Sequence, residues 1–139
     1  MSGLRVGRRL DAHCTALGKV LVACGEPSCL ERFDREWIAR RGLAAHTPAT
    51  ITDREKLLEH LRAVAGQGWA VDVEECAAGL CCAAAPVYDA AHQLVGAVSV
   101  SGPAFRLRGA REERAVPWVL EGAGELSRRL GHLPGVQGV

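Results

Sequence analysis

The side chains with the widest chemical range are six cysteines (Cys14, Cys24, Cys29, Cys76, Cys81 and Cys82) and a histidine, His13, beside the first of them. Thiolate and imidazole are zinc ligands, and a thiolate attacks carbon or sulfur when a base activates it. The spacing favours neither use. There is no Cys-x-x-Cys pair, and the sequence sets no histidine beside Cys82. Cys14, Cys76 and Cys82 are the candidate metal ligands, and Cys82 or Cys14 the candidate nucleophile. The expectation is no resident metal, no cofactor and no catalysis. Gly18-Lys19 lacks the earlier glycine and the following Ser/Thr of a phosphate-binding loop. No Ser–His–Asp order is recognisable. A second group is polar without being reactive: Asp72, and Ser99 and Ser101 two residues apart. Such groups accept and donate hydrogen bonds to a bound molecule.

These residues need a scaffold, and composition limits its kind. The 139 residues amount to about one domain. Seventeen Lys+Arg against sixteen Asp+Glu leave a formal charge of +1, without the basic excess of a surface that coats nucleic acid. The 48% apolar fraction is that of a folded chain. No apolar run reaches the roughly 18 residues of a membrane span, and Met1–Val6 has no apolar core of a secretory signal. A cytoplasmic location is expected, with the cysteines as free thiols.

Periodicity supplies the elements. Residues 4–6 read as a short strand. Thr15–Ala23 reads as a helix with Leu17, Val20 and Leu21 inward. A second helix is expected from Ser28, capped with Glu31, burying Leu30, Phe33 and Trp37. A third is expected from Thr52, capped with Glu55, burying Leu57, Leu58, Leu61, Val64 and Ala65, with Gly66 and Gly68 as stop signals. Trp69–Glu74 alternates like a strand. Cys81–Asp89 and His92–Ser101 read as a hairpin. A two-residue loop would set Tyr88 against Gln93, Ala84 against Ala97 and Cys82 against Ser99. Cys82, Ala84, Ala97, Ser99 and Ser101 then share one face, and Val87, Leu94, Val98 and Val100 the other. Cys81 and Cys82 point to opposite faces, so they do not share an ion. A last helix is expected over 112–130 with Val116, Val119, Leu120, Ala123, Leu126 and Leu130 as its stripe, Pro117 being tolerable only near its first turn.

Several motifs in order resemble the effector-binding domain of IclR-type transcription regulators. They are His13-Cys14-Thr15-Ala16-Leu17-Gly18-Lys19, Thr47-Pro48 with Thr50-Ile51-Thr52-Asp53, Gly68-Trp69-Ala70-Val71-Asp72 with Glu74-Glu75, Gly79-Leu80 with Cys82-Ala83-Ala84-Ala85-Pro86-Val87, and Ser99-Val100-Ser101-Gly102-Pro103-Ala104-Phe105-Arg106. The resemblance implies an α+β fold, a GAF/profilin-like curved and mainly antiparallel sheet with helices packed on its outer face. It implies a ligand-sensing regulatory domain over residues 1–139, not an enzyme. That domain would be incomplete at its N-terminus, with no winged helix-turn-helix in this chain. The implied partners are a small organic acid or related metabolite as effector and further copies in a homodimer or homotetramer. DNA would be reached only through the absent helix-turn-helix, and no membrane is involved. The effector contacts carry over onto Ala16, Leu17, Asp72, Cys82, Ser99 and Ser101. Cys81 stands where the family often has Arg, so no anion contact is expected there. The alternative reading is a metal or thiol-redox sensor that uses the pocket cysteines.

The residues support these assignments separately. Ala16 and Leu17 open a helix, where free backbone N–H groups favour an anion such as a carboxylate. Ser99 and Ser101 present hydroxyls on one strand face, and Cys82 is a small polarizable wall. Asp72 accepts either a ligand hydroxyl or a backbone N–H.

Overall fold

A computed structural model describes residues 9–104 and 110–133. The strand expected at 4–6 and the end of the last motif, Phe105-Arg106, lie outside them. The fold is α+β, with an antiparallel sheet in the order β1-β2-β3 built from β1 (Ala70–Val73), β2 (Leu80–Tyr88) and β3 (Leu94–Pro103). Helix α1 (Ala16–Ala23) crosses one face. Helix α5 (Ala110–Arg129) covers the other. Between α1 and β1 the chain forms α2 (Pro27–Arg32), a π-helical stretch (Phe33–Ile38), the single turn α3 (Ala39–Arg41) and α4 (Arg54–Gln67).

Small residues let both helices approach the strands. Ala83, Ala85 and Val87 of β2 bury against Ala115, Val119 and Ala123 of α5, with Val71, Val98 and Val100 at the margin. On the other face Ala16 and Val20 of α1 pack on Ala70 and Ala84, with Val64 of α4 beside them. Leu57, Leu58 and Leu61 of α4 form a third cluster with Ile38. Full burial of each leucine contributes roughly 1.5–3 kcal/mol.

The caps differ from expectation by one residue or two. Asp53, not Thr52, caps α4, accepting from the Lys56 N–H at 2.9 Å. A carboxylate there also meets the positive end of the helix dipole. Helix α2 begins at Pro27 with Glu26 before it and no side-chain cap; proline at the first helical position displaces the Ser28–Glu31 box. Gly68 ends α4 in the left-handed conformation, while Gly66 stays inside the helix. Ala65 is exposed.

Two buried stripes are also redrawn. In α1 the inward residues are Ala16, Lys19 and Val20, whereas Leu17 and Leu21 are exposed. A lysine takes the inward place because a carboxylate waits for it, as described below. In α5 the buried positions are Ala115, Val119, Ala123 and Ser127, four apart; Leu120, Leu126 and Leu130 are exposed together with Trp118. Pro117 sits inside this helix.

The hairpin register differs by two from the expected one. Its loop has three residues: Asp89 N–H donates to Gln93 O at 3.0 Å, and His92 takes a left-handed φ of 62°. Asp89 Oδ1 holds the loop by accepting from Ala91 and Gln93 N–H. Such a loop by itself would turn every side chain to the opposite face. A bulge restores the parity: Tyr88 pairs with Leu94 and Val87 with Gly96, leaving Val95 extra. Cys82 therefore meets Ser101, and Ala84 meets Ser99. The face shared by Cys82, Ala84, Ala97, Ser99 and Ser101 survives. Leu94 does not stay with the valines: its side chain lies 3.6 Å from where a Gly25 Cβ would stand, on the α1 side.

Candidate functional site

Beyond the N-terminus of α1 the same sheet face is left partly uncovered. Asp72, Cys82 and Ser101 form a row across the three strands, and Ala70, Ala84 and Ser99 form the next. A cleft of about 130 Å³ opens over them, lined by Leu10, Thr15, Leu17, Asp72, Cys76, Leu80, Cys82, Ser99 and Ser101. Five of the six residues expected at an effector site thus converge. The sixth, Ala16, is 1% exposed and packs beneath α1, so its methyl group belongs to the core and only its backbone faces the helix start.

Thr15 organises that start. Its hydroxyl accepts from Gly18 N–H at 3.1 Å, and its carbonyl accepts from Lys19 N–H at 3.0 Å. The amides of Ala16 and Leu17, the first two of the helix, have no acceptor among the described residues. They are the groups that bind an anion at a helix N-terminus. Gly18 is needed for a different reason. A Cβ there would fall 2.4 Å from Ala12 Cα, so the start of α1 closes on the preceding turn only around glycine.

Lys19 explains the rest of the motif. Its ammonium group is fully buried and donates to both Glu75 oxygens at 2.8 Å and to Val71 O at 2.9 Å. Glu75 is fixed in turn. Its N–H donates to Asp72 Oδ1 at 2.7 Å, and its carbonyl accepts from Thr50 Oγ1 at 2.6 Å. Thr47 Oγ1 donates to Glu74 O, where the backbone turns at a positive φ of 55°. The Thr47, Thr50 and Glu74-Glu75 motifs therefore position Asp72 without entering the cleft.

Asp72 is 1% exposed. Burial foremost, then the Glu75 charge, raise its pKa to about 6; the N–H groups of Glu75 and Cys76 and the Lys19 ammonium act the other way. It both holds the turn and lines the cleft. Cys82 Sγ lies 3.1 Å from Ser101 Oγ, not opposite Ser99. Burial pushes its thiol up to about 11 despite that hydrogen bond, with Asp72 adding to the rise. A neutral thiol is a poor nucleophile.

The three thiols Cys14, Cys76 and Cys82 do not form a set with ligand atoms mutually within 4.8 Å. Cys14 is buried and does not line the cleft; burial and then the neighbouring Cys76 hold its pKa well above the usual range. Cys81 is buried on the opposite face from Cys82, paired with Gly102. Larger grooves of about 490 and 500 Å³ lie among the helices, one between Ala23, Leu30, Leu58 and Tyr88 and one along Leu21, Phe33 and Trp37. None of the expected site residues lines either. Thr15, Leu10 and Leu80 are cleft residues that the sequence reading did not single out, and Cys76, expected only as a candidate metal ligand, lines the cleft as well. Thr15 carried a usable signal, a threonine directly before a helix.

The family profile described as bacterial transcriptional regulator IclR C-terminal matches residues 1–128. The chain belongs to the IclR family. The Pca regulon regulatory protein of Pseudomonas putida is 37% identical to this IclR-type domain over 128 residues, 91% of the chain but 43% of that relative. The chain thus spans less than half the length of this relative. Among solved structures, the Thermotoga maritima IclR superposes with a TM-score of 0.79 at 33% identity, covering 92% of this chain and 50% of that one. A double mutant of the PobR inducer-binding domain from Acinetobacter, in complex with 3-hydroxybenzoic acid, superposes with a TM-score of 0.77 at 31% identity. That match covers 88% of this chain and 69% of the other. The relatives carry regulator names, in keeping with the regulatory and non-enzymatic reading of the sequence.

Proposed function

We propose that this IclR-type domain is a ligand-sensing module that binds a small organic acid in the cleft over Asp72, Cys82 and Ser101. The observation that carries the reading is the convergence of the expected contacts on one cleft at the start of α1. The ligand carboxylate rests on the Ala16 and Leu17 amides. A hydroxyl or second polar group meets Ser99, Ser101 or Asp72, and Cys82 and Leu17 supply the apolar walls. An apolar cavity of about 150 Å³ holds a benzene ring, so a cleft of about 130 Å³ is on the scale of a small hydroxy acid. The Acinetobacter relative, solved with 3-hydroxybenzoic acid, supports that class. In the parent protein the occupied domain would control oligomeric state, as homodimer or homotetramer, and through it DNA binding by a helix-turn-helix domain.

Calorimetry with a panel of aromatic and aliphatic hydroxy acids tests this. Ser99→Val and Ser101→Val should each weaken binding by about 1–3 kcal/mol, the cost of leaving a buried partner unpaired. Cys82→Ser should fold and change affinity modestly. Unchanged affinity in both serine variants would remove the cleft from the account.

A further inference from the structure

The turn that leads into α1 meets the connector that leads to α4. His13 and Cys14 belong to the turn and His46 to the connector, and one ligand atom from each lies within 4.8 Å of the others. Among the described residues this is the group of His, Cys, Asp or Glu side chains that converges so closely.

Both imidazoles are already oriented through Nε2. His13 Nε2 is 2.9 Å from Ala44 O. A carbonyl only accepts, so Nε2 carries the proton and Nδ1 the lone pair. His13 is 1% exposed, and its Nδ1 is buried with no hydrogen-bond partner. A buried orphan nitrogen of this kind requires an explanation. His46 Nε2 is 2.7 Å from Asp11 Oδ2, an imidazole–carboxylate contact that leaves its other ring nitrogen available. Histidines that bind metals are held in this way, donating their second N–H to a carbonyl or a carboxylate. Cys14 supplies the thiol, fully buried.

We propose that His13, Cys14 and His46 form a binding site for a zinc-class divalent cation. Two imidazoles and a thiolate select zinc or cobalt over magnesium and calcium, which take oxygen ligands. His46, the exposed member of the set, gives an ion access from solvent. On binding, Cys14 gives its proton to solvent and the sulfur bonds to the ion. The ion staples the start of α1 to the connector that carries Thr47 and Thr50, the residues that hold the Glu74-Glu75 turn. None of the three side chains lines the cleft, and the site does not depend on the effector reading.

Cobalt(II) titration of the chelator-treated, reduced chain tests this. One equivalent should bind with a thiolate-to-cobalt charge-transfer band. His46→Ala, a change at the exposed ligand, should weaken binding at least tenfold. Cys14→Ser should abolish the band, while Cys82→Ser leaves both band and affinity unchanged. Should Cys14→Ser fail to fold, His46→Ala decides. Absence of binding, full affinity in His46→Ala, or loss of the band in Cys82→Ser would overturn the proposal.

Discussion

Lys19 is the residue on which the cleft most depends, although it does not touch it. Its buried ammonium ties Glu75, and Glu75 N–H ties Asp72. Removing one partner of a buried ion pair leaves the other charge uncompensated, at about 3–5 kcal/mol. Lys19→Met should therefore destabilise the chain by roughly that amount in urea, and adding Glu75→Leu should restore part of the loss. A double variant no more stable than Lys19→Met would contradict this coupling. The sequence displayed both residues but not their meeting, since nothing local announces a pairing across 56 positions. Asp72, Cys82, Ser99 and Ser101 were legible because strand parity and the family resemblance pointed the same way. The inward side chain of Ala16 was not, because the expectation concerned its amide alone.

At the scale of elements, capping and periodicity located the helices but shifted their ends. The expected cap of α4 is Thr52, whereas the next residue, Asp53, does the capping. The hairpin shows the limits of local reasoning more clearly. Ala90-Ala91 carries no strong turn signal, and the bulge at Val95 has no residue signature. The two errors cancelled in parity, so the polar face was correctly composed although its cross-strand partners were not. Element burial also sets opposing pH dependences. His60 on α4 is held down to about 4 by burial and the Lys19 charge. The unfolded chain thus binds the extra proton first, and this term is lost as pH falls from about 6.5 to 4. Asp72 on β1, raised to about 6, behaves in reverse: its stabilising term is full below about 4 and lost as pH rises through 6. Relative to wild type, His60→Leu should gain stability on acidification across this window, and Asp72→Asn should fall behind. Urea midpoints at pH 4.5 and 7 that shift identically in both variants would refute the assignment.

At the scale of the whole molecule, α5 leaves Trp118, Leu120, Leu126 and Leu130 exposed, and among the described residues β1 and β3 are the outer strands of the sheet. Apolar faces of this kind on a regulatory domain fit association between copies. Sedimentation at micromolar concentration should show a dimer or tetramer, and a monomer would contradict that expectation. The α+β class was legible from the order of the elements, whereas the inward and outward faces of α5 were not. Its apolar residues spread over an arc broader than the buried stripe of Ala115, Val119, Ala123 and Ser127, so periodicity alone could not centre that stripe. The central claim is that the cleft over Asp72, Cys82 and Ser101 binds a small organic acid. Amide chemical-shift mapping during titration with a bound hydroxy acid tests it most directly. The largest shifts should fall at Ala16, Leu17, Asp72, Cys82, Ser99 and Ser101. Shifts centred instead on Ala23, Leu30, Leu58 and Tyr88, around the groove of about 490 Å³, would contradict it.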